Sequence, residues 1–275
     1  SLSQIEQLKI FYQHTLHHKK RQTVSRSIKA DFLKMVRLPR EMQSHLEVYN
    51  EFCQSNEAFA CQLLFKPAQG SELVICSRDR PNLLYCFSTA LAFNKLNIIE
   101  ANIHTLRNHV FDIFKVVSSS GAPINYADVY TLQNQIKDDL RRVCVDQEPL
   151  SQVFKNRSLS ISEEQTKKQK IKLKVKLIGR AIKVETHDLL GTFMTLTGVF
   201  SEFNMEVQRA VLDTREGTAS NIFYMRPKDV RDIIENKDHF LRTLEHALQQ
   251  LVKSEKVIFK GPSISTIPTK PTIIV

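Results

Sequence analysis

Asp79 and Asp188 stand 109 residues apart, each where a strand-like run gives way to a helix-like one. The first stretch reads Ser77-Arg78-Asp79-Arg80-Pro81-Asn82-Leu83-Leu84, and the second Thr186-His187-Asp188-Leu189-Leu190-Gly191-Thr192-Phe193. A loop entering a helix offers unpaired backbone N–H groups at the positive end of the helix dipole, and these hold a carboxylate without a dedicated cation. A neighbouring Asp can take an ammonium as a charge-assisted hydrogen bond. Together they suit a zwitterion. One such loop is more simply helix capping, since Asp is a good N-cap. Recurrence puts binding on an equal footing with capping. Asn97 and Asn204 are expected to begin the following strand beside each loop, and each brings an amide that can meet a side-chain amide. The second loop carries Gly191, which eases close backbone approach, so Asp188, Gly191 and Asn204 are expected to form the better site.

Other patterns suggest chemistry and fall short of it. Gly70-Ser71 followed by Asp79 resembles a nucleotidyltransferase signature, but Pro81 stands where the second metal-binding carboxylate belongs. His187-Asp188 is a dipeptide of metal phosphohydrolases, without the further His and Asp ligands a hard metal needs. His14, His17 and His18 share a helix face, but no Glu sits between them in the metalloprotease pattern. No serine occupies a nucleophile elbow, and no cysteine has an evident histidine partner. No catalytic residue, metal site or cofactor is therefore expected in this chain.

The elements around these residues follow from periodicity. Residues 2–61 carry apolar positions at helical spacing, broken at Pro39, which predicts three helices. A short strand is expected over 72–76, then a helix over 81–95. Strands over 97–106 and 110–117 flank a turn at 107–109. A helix over 126–143 has Val129, Leu132, Ile136, Leu140 and Val143 on one face. Residues 158–170 read as a polar loop. Residues 170–178 alternate strictly, with a face of Lys172, Lys174 and Lys176. Gly179-Arg180 is a tight turn into a strand over 181–186. A helix over 190–203, strands over 205–212 and 219–225, a long helix over 229–252 and a strand over 257–260 complete the series.

This second series repeats the first. Asp112-Ile113-Phe114 matches Asn221-Ile222-Phe223 at the offset of 109, and Phe93-x-x-Leu96-Asn97 matches Phe200-x-x-Phe203-Asn204 at 107. The fold class expected is α+β: a helical N-terminal segment followed by two ferredoxin-like βαββαβ units. The boundaries are 1–66 for the helical connector, 71–178 and 180–261 for the units, and 262–275 for a loose Pro-containing tail. Right-handed crossovers put each unit's helices on one sheet face and leave the other face free.

Composition bounds the rest. Forty-two per cent hydrophobic residues suffice for a core, and no apolar run approaches the length of a membrane helix. Five cysteines without a Cys-x-x-Cys pair argue for buried free thiols rather than disulfides or zinc. The net charge of +10 could serve nucleic acid. The strand over 97–106 lacks the stacking aromatics that RNA-binding sheets use, so nucleic acid is the disfavoured partner. A lysine face on an edge strand more often deters aggregation. With Ser1 first and no secretory signal following, a cytoplasmic location is expected.

Asp79-x-Pro81-x-Leu83, Asp188-x-x-Gly191 and the doubled unit together resemble a tandem pair of ACT domains, small regulatory modules that bind amino acids. The usual loop of that family is Asp-x-Pro-Gly-Leu. Here Asn82 replaces the glycine of the first loop, and Leu190 the proline of the second. Ser77-x-Asp79-Arg80-Pro81-x-Leu83, Glu100-Ala101-Asn102-Ile103, Thr105-x-Arg107 and Asp112-x-Phe114 are similar to the C-terminal region of bacterial PII uridylyltransferase/uridylyl-removing enzymes. The resemblance implies a glutamine-sensing regulatory region that controls nitrogen metabolism through the PII signal protein. It also implies that Mg²⁺ belongs only to the parent's catalytic domains, upstream of this chain. The effector would touch Asp79, Arg80, Pro81, Asn82, Leu83 and Asn97, and Asp188, Leu189, Leu190, Gly191, Thr192 and Asn204. A homodimer through ACT sheets is a further expectation. The alternatives are an ACT pair serving another enzyme and another amino acid, or a basic nucleic-acid-binding module.

Overall fold

The computed structural model describes residues 40–67, 70–106, 108–160, 173–215, 218–253 and 256–258. The helices expected before residue 40, the lysine at 172 and the tail after 258 lie outside these residues. In chain order the elements are α1 (Arg40–Gln54), β1 (Phe59–Leu64), β2 (Ser71–Arg78), α2 (Leu83–Phe93), β3 (Leu96–Asn102), β4 (Thr105–Leu106), β5 (His109–Ser118), α3 (Val129–Cys144), α4 (Leu150–Val153) and β6 (Ser158–Ser160). The second half holds β7 (Lys174–Ile178), β8 (Ala181–His187), α5 (Thr192–Glu202), β9 (Val207–Arg215), β10 (Thr218–Met225), α6 (Pro227–Glu235), α7 (Lys237–Lys253) and β11 (Lys256–Ile258).

The fold is mixed α and β around an antiparallel sheet in the order β1-β2-β5-β3-β9-β10-β8-β7, with β4 added beside β5. The apolar residues of α2, α3, α5 and α7 pack on one sheet face, and a single buried cluster runs from Leu73 and Phe87 through Phe200 and Phe223 to Leu248. Among the described residues no helix is long and apolar enough to cross a membrane.

Two of the contacts between the halves bring a residue against its own repeat counterpart. β3 meets β9 at Asn102 and Val211. Helices α2 and α5 cross where the hydroxyls of Ser88 and Thr197 lie 2.8 Å apart, both buried. Residues 109 apart facing one another are what a local twofold relation requires. Gly198 permits the crossing, because a Cβ there would stand 3.0 Å from the Tyr85 ring.

Several expectations are corrected. The segment expected to be helical to residue 66 turns into β1, which pairs with β2 from Phe59↔Ser77 to Leu64↔Glu72. The strand expected to end the first unit, β7, instead pairs with β8 at the far edge of the sheet. The two-residue turn at Gly179, with φ 59, folds β7 straight back on its successor, and β1 already fills the edge of β2. β11, within the strand expected at 257–260, pairs with β6 in a separate ribbon rather than with the second unit's sheet. Residues 158–160, expected in a loop, are therefore strand. The sheet face expected to be free is covered in the first half by α1, whose Leu46, Tyr49 and Phe52 pack on Val74, Cys76, Phe111 and Ile113. The long helix over 229–252 is divided at Asn236, which caps α6: its backbone N–H and its side-chain amide both donate to the Asp232 carbonyl, at 3.0 and 3.1 Å. Among the cysteines, Cys61, Cys76 and Cys86 are buried free thiols, but Cys53 is exposed.

Candidate functional site

The first loop leaves β2 at Asp79, whose N–H donates to the Asn108 carbonyl at 2.7 Å. Asn82 then takes the left-handed conformation at φ 66, which Asn tolerates better than most residues. Its counterpart Gly191 does the same at φ 89. Cys86 N–H to Asn82 O, at 3.0 Å, starts the helical bonding of α2, so the N–H groups of Leu83, Leu84 and Tyr85 precede it at the dipole's positive end.

In front of this loop lies a cavity of about 260 Å³. One wall is Asp79, Arg80, Pro81, Asn82 and Leu83; the other comes from the second half, through Phe200, Asn204, Met205, Glu206 and Arg226. The exposed rim carries Asp79, Asn204 and Glu206. The floor carries Asp112, 1% exposed, whose Oδ1 accepts from the His104 N–H at 3.2 Å while Oδ2 has no partner. Loss of water raises the Asp79 carboxyl, Glu206 raises it further, and the Arg80 N–H partly offsets both. Full burial pushes Asp112 well up, against the His104 N–H and with a contribution from Asp79. Burial, then Arg209, lowers the His104 imidazole to about 4, so it is neutral at pH 7.

The two arginines of the lining are largely committed. Arg226 donates to both Asp229 oxygens at 2.8 and 3.0 Å, to Glu206, and to the Asn204 carbonyl at 3.2 Å. It thereby fixes the segment that carries Asn204 and Glu206. Arg80 donates to the Val143 carbonyl at 2.7 Å, and its buried Nε has no partner.

The second loop is closed. Asn97 Nδ2 donates to Asp188 Oδ2 at 3.4 Å. Thr192 Oγ1 accepts the Leu189 N–H and donates to the His187 carbonyl. A Cβ at Gly191 would meet Leu251 at 3.3 Å and Leu159 at 3.7 Å, so the glycine lies beneath α7 and the β6 strand. Leu189 and Leu190 are core residues. Burial raises the Asp188 carboxyl, and the Asn97 amide counters it.

The expected grouping of Asp188, Gly191 and Asn204 is thus not what the structure assembles. Asn204 faces the Asp79 loop and Asn97 faces Asp188, because the twofold relation sets each loop against the other half's second strand. The repeat match at 107 also gives way. β3 and β9 share a bulge at the same place, with Ile98↔Val116 matching Val207↔Met225 and Glu100↔Lys115 matching Arg209↔Tyr224. The offset is 109 throughout, so Asn97 corresponds to Glu206, and Asn204 to Lys95. Both Lys95 and Asn204 have positive φ, at 58 and 52. Glu206, Arg226 and the role of Asp112 were missed. Holding the 109 offset through the second strand would have exposed the acid at 206.

Among the described residues no group of three or more His, Cys, Asp and Glu is placed to hold a metal ion. On β7 and β8, Lys183 lies 2.6 Å and Lys174 3.8 Å from Glu185, so the lysine face carries its own counter-charge.

No protein-family model matches the chain. No curated protein matches it either. Among solved structures it is similar to an aspartate kinase from Synechocystis, 14% identical over 69% of this chain and 28% of that one, with a TM-score of 0.35. It is also similar to an unknown protein from Galdieria sulphuraria, 12% identical over 66% of this chain and 93% of that one, with a TM-score of 0.20. The chain spans little more than a quarter of the aspartate kinase.

Proposed function

We propose that this chain is an amino-acid-sensing regulatory region whose effector occupies the cavity between the Asp79 loop and the Asn204–Glu206 segment. The observation that carries the reading is the convergence there of a helix N-terminus, a rim carboxylate and a rim amide across a joint between two halves. The N–H groups opening α2, with the spare Nε–H of Arg80, suit the effector's carboxylate. Asp79 suits its ammonium, and Asn204 its side chain. The volume is near the small end for ligand pockets, which fits a free amino acid. Because both halves line the cavity, occupancy favours one arrangement of the halves, which is how a small ligand gains leverage over an attached domain.

The loop residues Asp79, Arg80, Pro81 and Leu83 extend the proposal to glutamine as effector and to a PII uridylyltransferase-like enzyme as parent, with PII reached through that enzyme. The regulatory region itself needs no cofactor. Calorimetry with glutamine on the wild type and on Asp79→Ala tests the reading. Wild type binds at millimolar concentration or below, and Asp79→Ala weakens binding by roughly tenfold or more. A wild type that binds none of the common amino acids overturns it.

A further inference from the structure

Asp112 sits on the cavity floor with one oxygen bonded to the backbone and the other facing no protein partner. A buried polar atom left unpaired is unfavourable, and a ligand group that reaches it relieves the loss. Its position in the other half is held by Asn221, equally buried at 2% exposed. The fold at this strand position therefore accepts either a carboxyl or an amide, and the acid at 112 is not required by packing.

Resting on the reading that the cavity holds an amino acid, we propose that Asp112 is its selectivity-determining residue: Oδ2 hydrogen-bonds the far polar end of the effector, admitting a side-chain amide and rejecting a side-chain carboxylate. The charge around the floor supports this. Asp79, Asp112 and Glu206 all line the cavity. Arg226 is held by four hydrogen bonds to Asp229, Glu206 and the Asn204 carbonyl. The Nε–H of Arg80 belongs to the same loop as the α2 N-terminus and serves the effector's first carboxylate. A second carboxylate on the ligand meets acids and no free cation. An amide offers both N–H and C=O, so it pairs with Oδ2 in either protonation state, whereas a ligand carboxylate can meet Asp112 only while the acid keeps its proton, and then still lies among Asp79 and Glu206. Like-charge rejection of the wrong ligand is how closely similar molecules are told apart.

The test is the ratio of glutamine to glutamate affinity, measured by calorimetry on wild type and Asp112→Asn, with lysine as a third ligand. Asp112→Asn keeps the thermal midpoint near the wild-type value, because Asn221 already occupies the equivalent place. Wild type prefers glutamine over glutamate by about tenfold or more. In Asp112→Asn that preference shrinks at least severalfold, chiefly because glutamate gains an N–H donor. A purely structural role would weaken both ligands alike and leave the ratio unmoved, and that result overturns the proposal. Tighter binding of lysine than of glutamine also overturns it, since the acids would then be reading a cation. A wild type that binds glutamine while Asp112→Asn leaves selectivity intact sinks this inference alone. A wild type that binds no amino acid sinks the sensor reading, and this inference with it.

Discussion

Single residues make the two loops differ. Glu206 stands where the other half has Asn97, Asp112 where it has Asn221, and Asn82 where it has Gly191. At the Asp188 loop the amide of Asn97 satisfies the carboxylate, while at the Asp79 loop carboxylates face one another. Asp188→Ala should therefore leave glutamine affinity within about twofold of wild type, while Asp79→Ala lowers it by roughly tenfold. Parallel titrations decide it, and equal losses in both variants would refute the single-cavity account. Both aspartates were legible from the sequence because loop-to-helix transitions announce themselves in residue types. Their partners were not, because pairing across a twofold joint leaves no local trace. A second residue-scale prediction concerns Glu72, which lies 2.6 Å from His45 Nε2 and 2.7 Å from Lys66 Nζ. Burial would raise its carboxyl, but the hydrogen bonds from His45 and Lys66 outweigh that and hold it at about 2. A depressed folded value means stability that is present above the unfolded value near 4.5 and is lost as pH falls toward 2. The contribution is on the order of 3 kcal/mol. Urea unfolding at a series of pH values should show Glu72→Gln less stable at pH 6 and flatter than wild type between pH 4.5 and 2. Parallel curves would remove Glu72 from the acid response.

At the scale of elements, apolar stripes were the reliable signal. Ile136, Leu140 and Val143 predicted α3, since a helix with one apolar side has one way to bury it, and the helix expected over 81–95 holds α2. Short strands were less legible. Residues 158–160 gain their strand only by pairing with residues 256–258, nearly a hundred positions away, and no local pattern encodes such a partner. The edge place of β7 was likewise decided by competition with β1 for β2. The α2–α5 crossing depends on Gly198, whose absent side chain leaves room for the Tyr85 ring at 3.0, 3.4 and 3.6 Å from the Cβ position. Gly198→Leu should cost about 1–3 kcal/mol through overpacking, despite the better helix propensity of leucine. The denaturation midpoint reads this out. Because Tyr85 and Thr197 also line the cavity, effector affinity should fall with it. A variant as stable as wild type would mean that the two helices are not closely packed there.

At the scale of the whole molecule, the shared core and the sensor proposal meet. The main buried cluster includes Leu73, Phe87 and Phe114 from the first half and Ile182, Phe200 and Phe223 from the second. The sheet passes from β3 to β9 through the pair Asn102↔Val211. Two units that merely touched would melt separately, whereas one continuous core leaves neither half able to keep its buried surface alone. The described halves should therefore unfold in a single transition. Amides of β2 and β5 should share one limiting exchange free energy with those of β8 and β10. A saturating effector should raise that common value, since its cavity is lined by both halves and is lost when either opens. Hydrogen exchange with and without glutamine gives the answer. If β8 and β10 stay protected under conditions where β2 and β5 exchange freely, the halves are independent. An effector in the cavity could then stiffen the joint, but it could not act on the molecule as one piece.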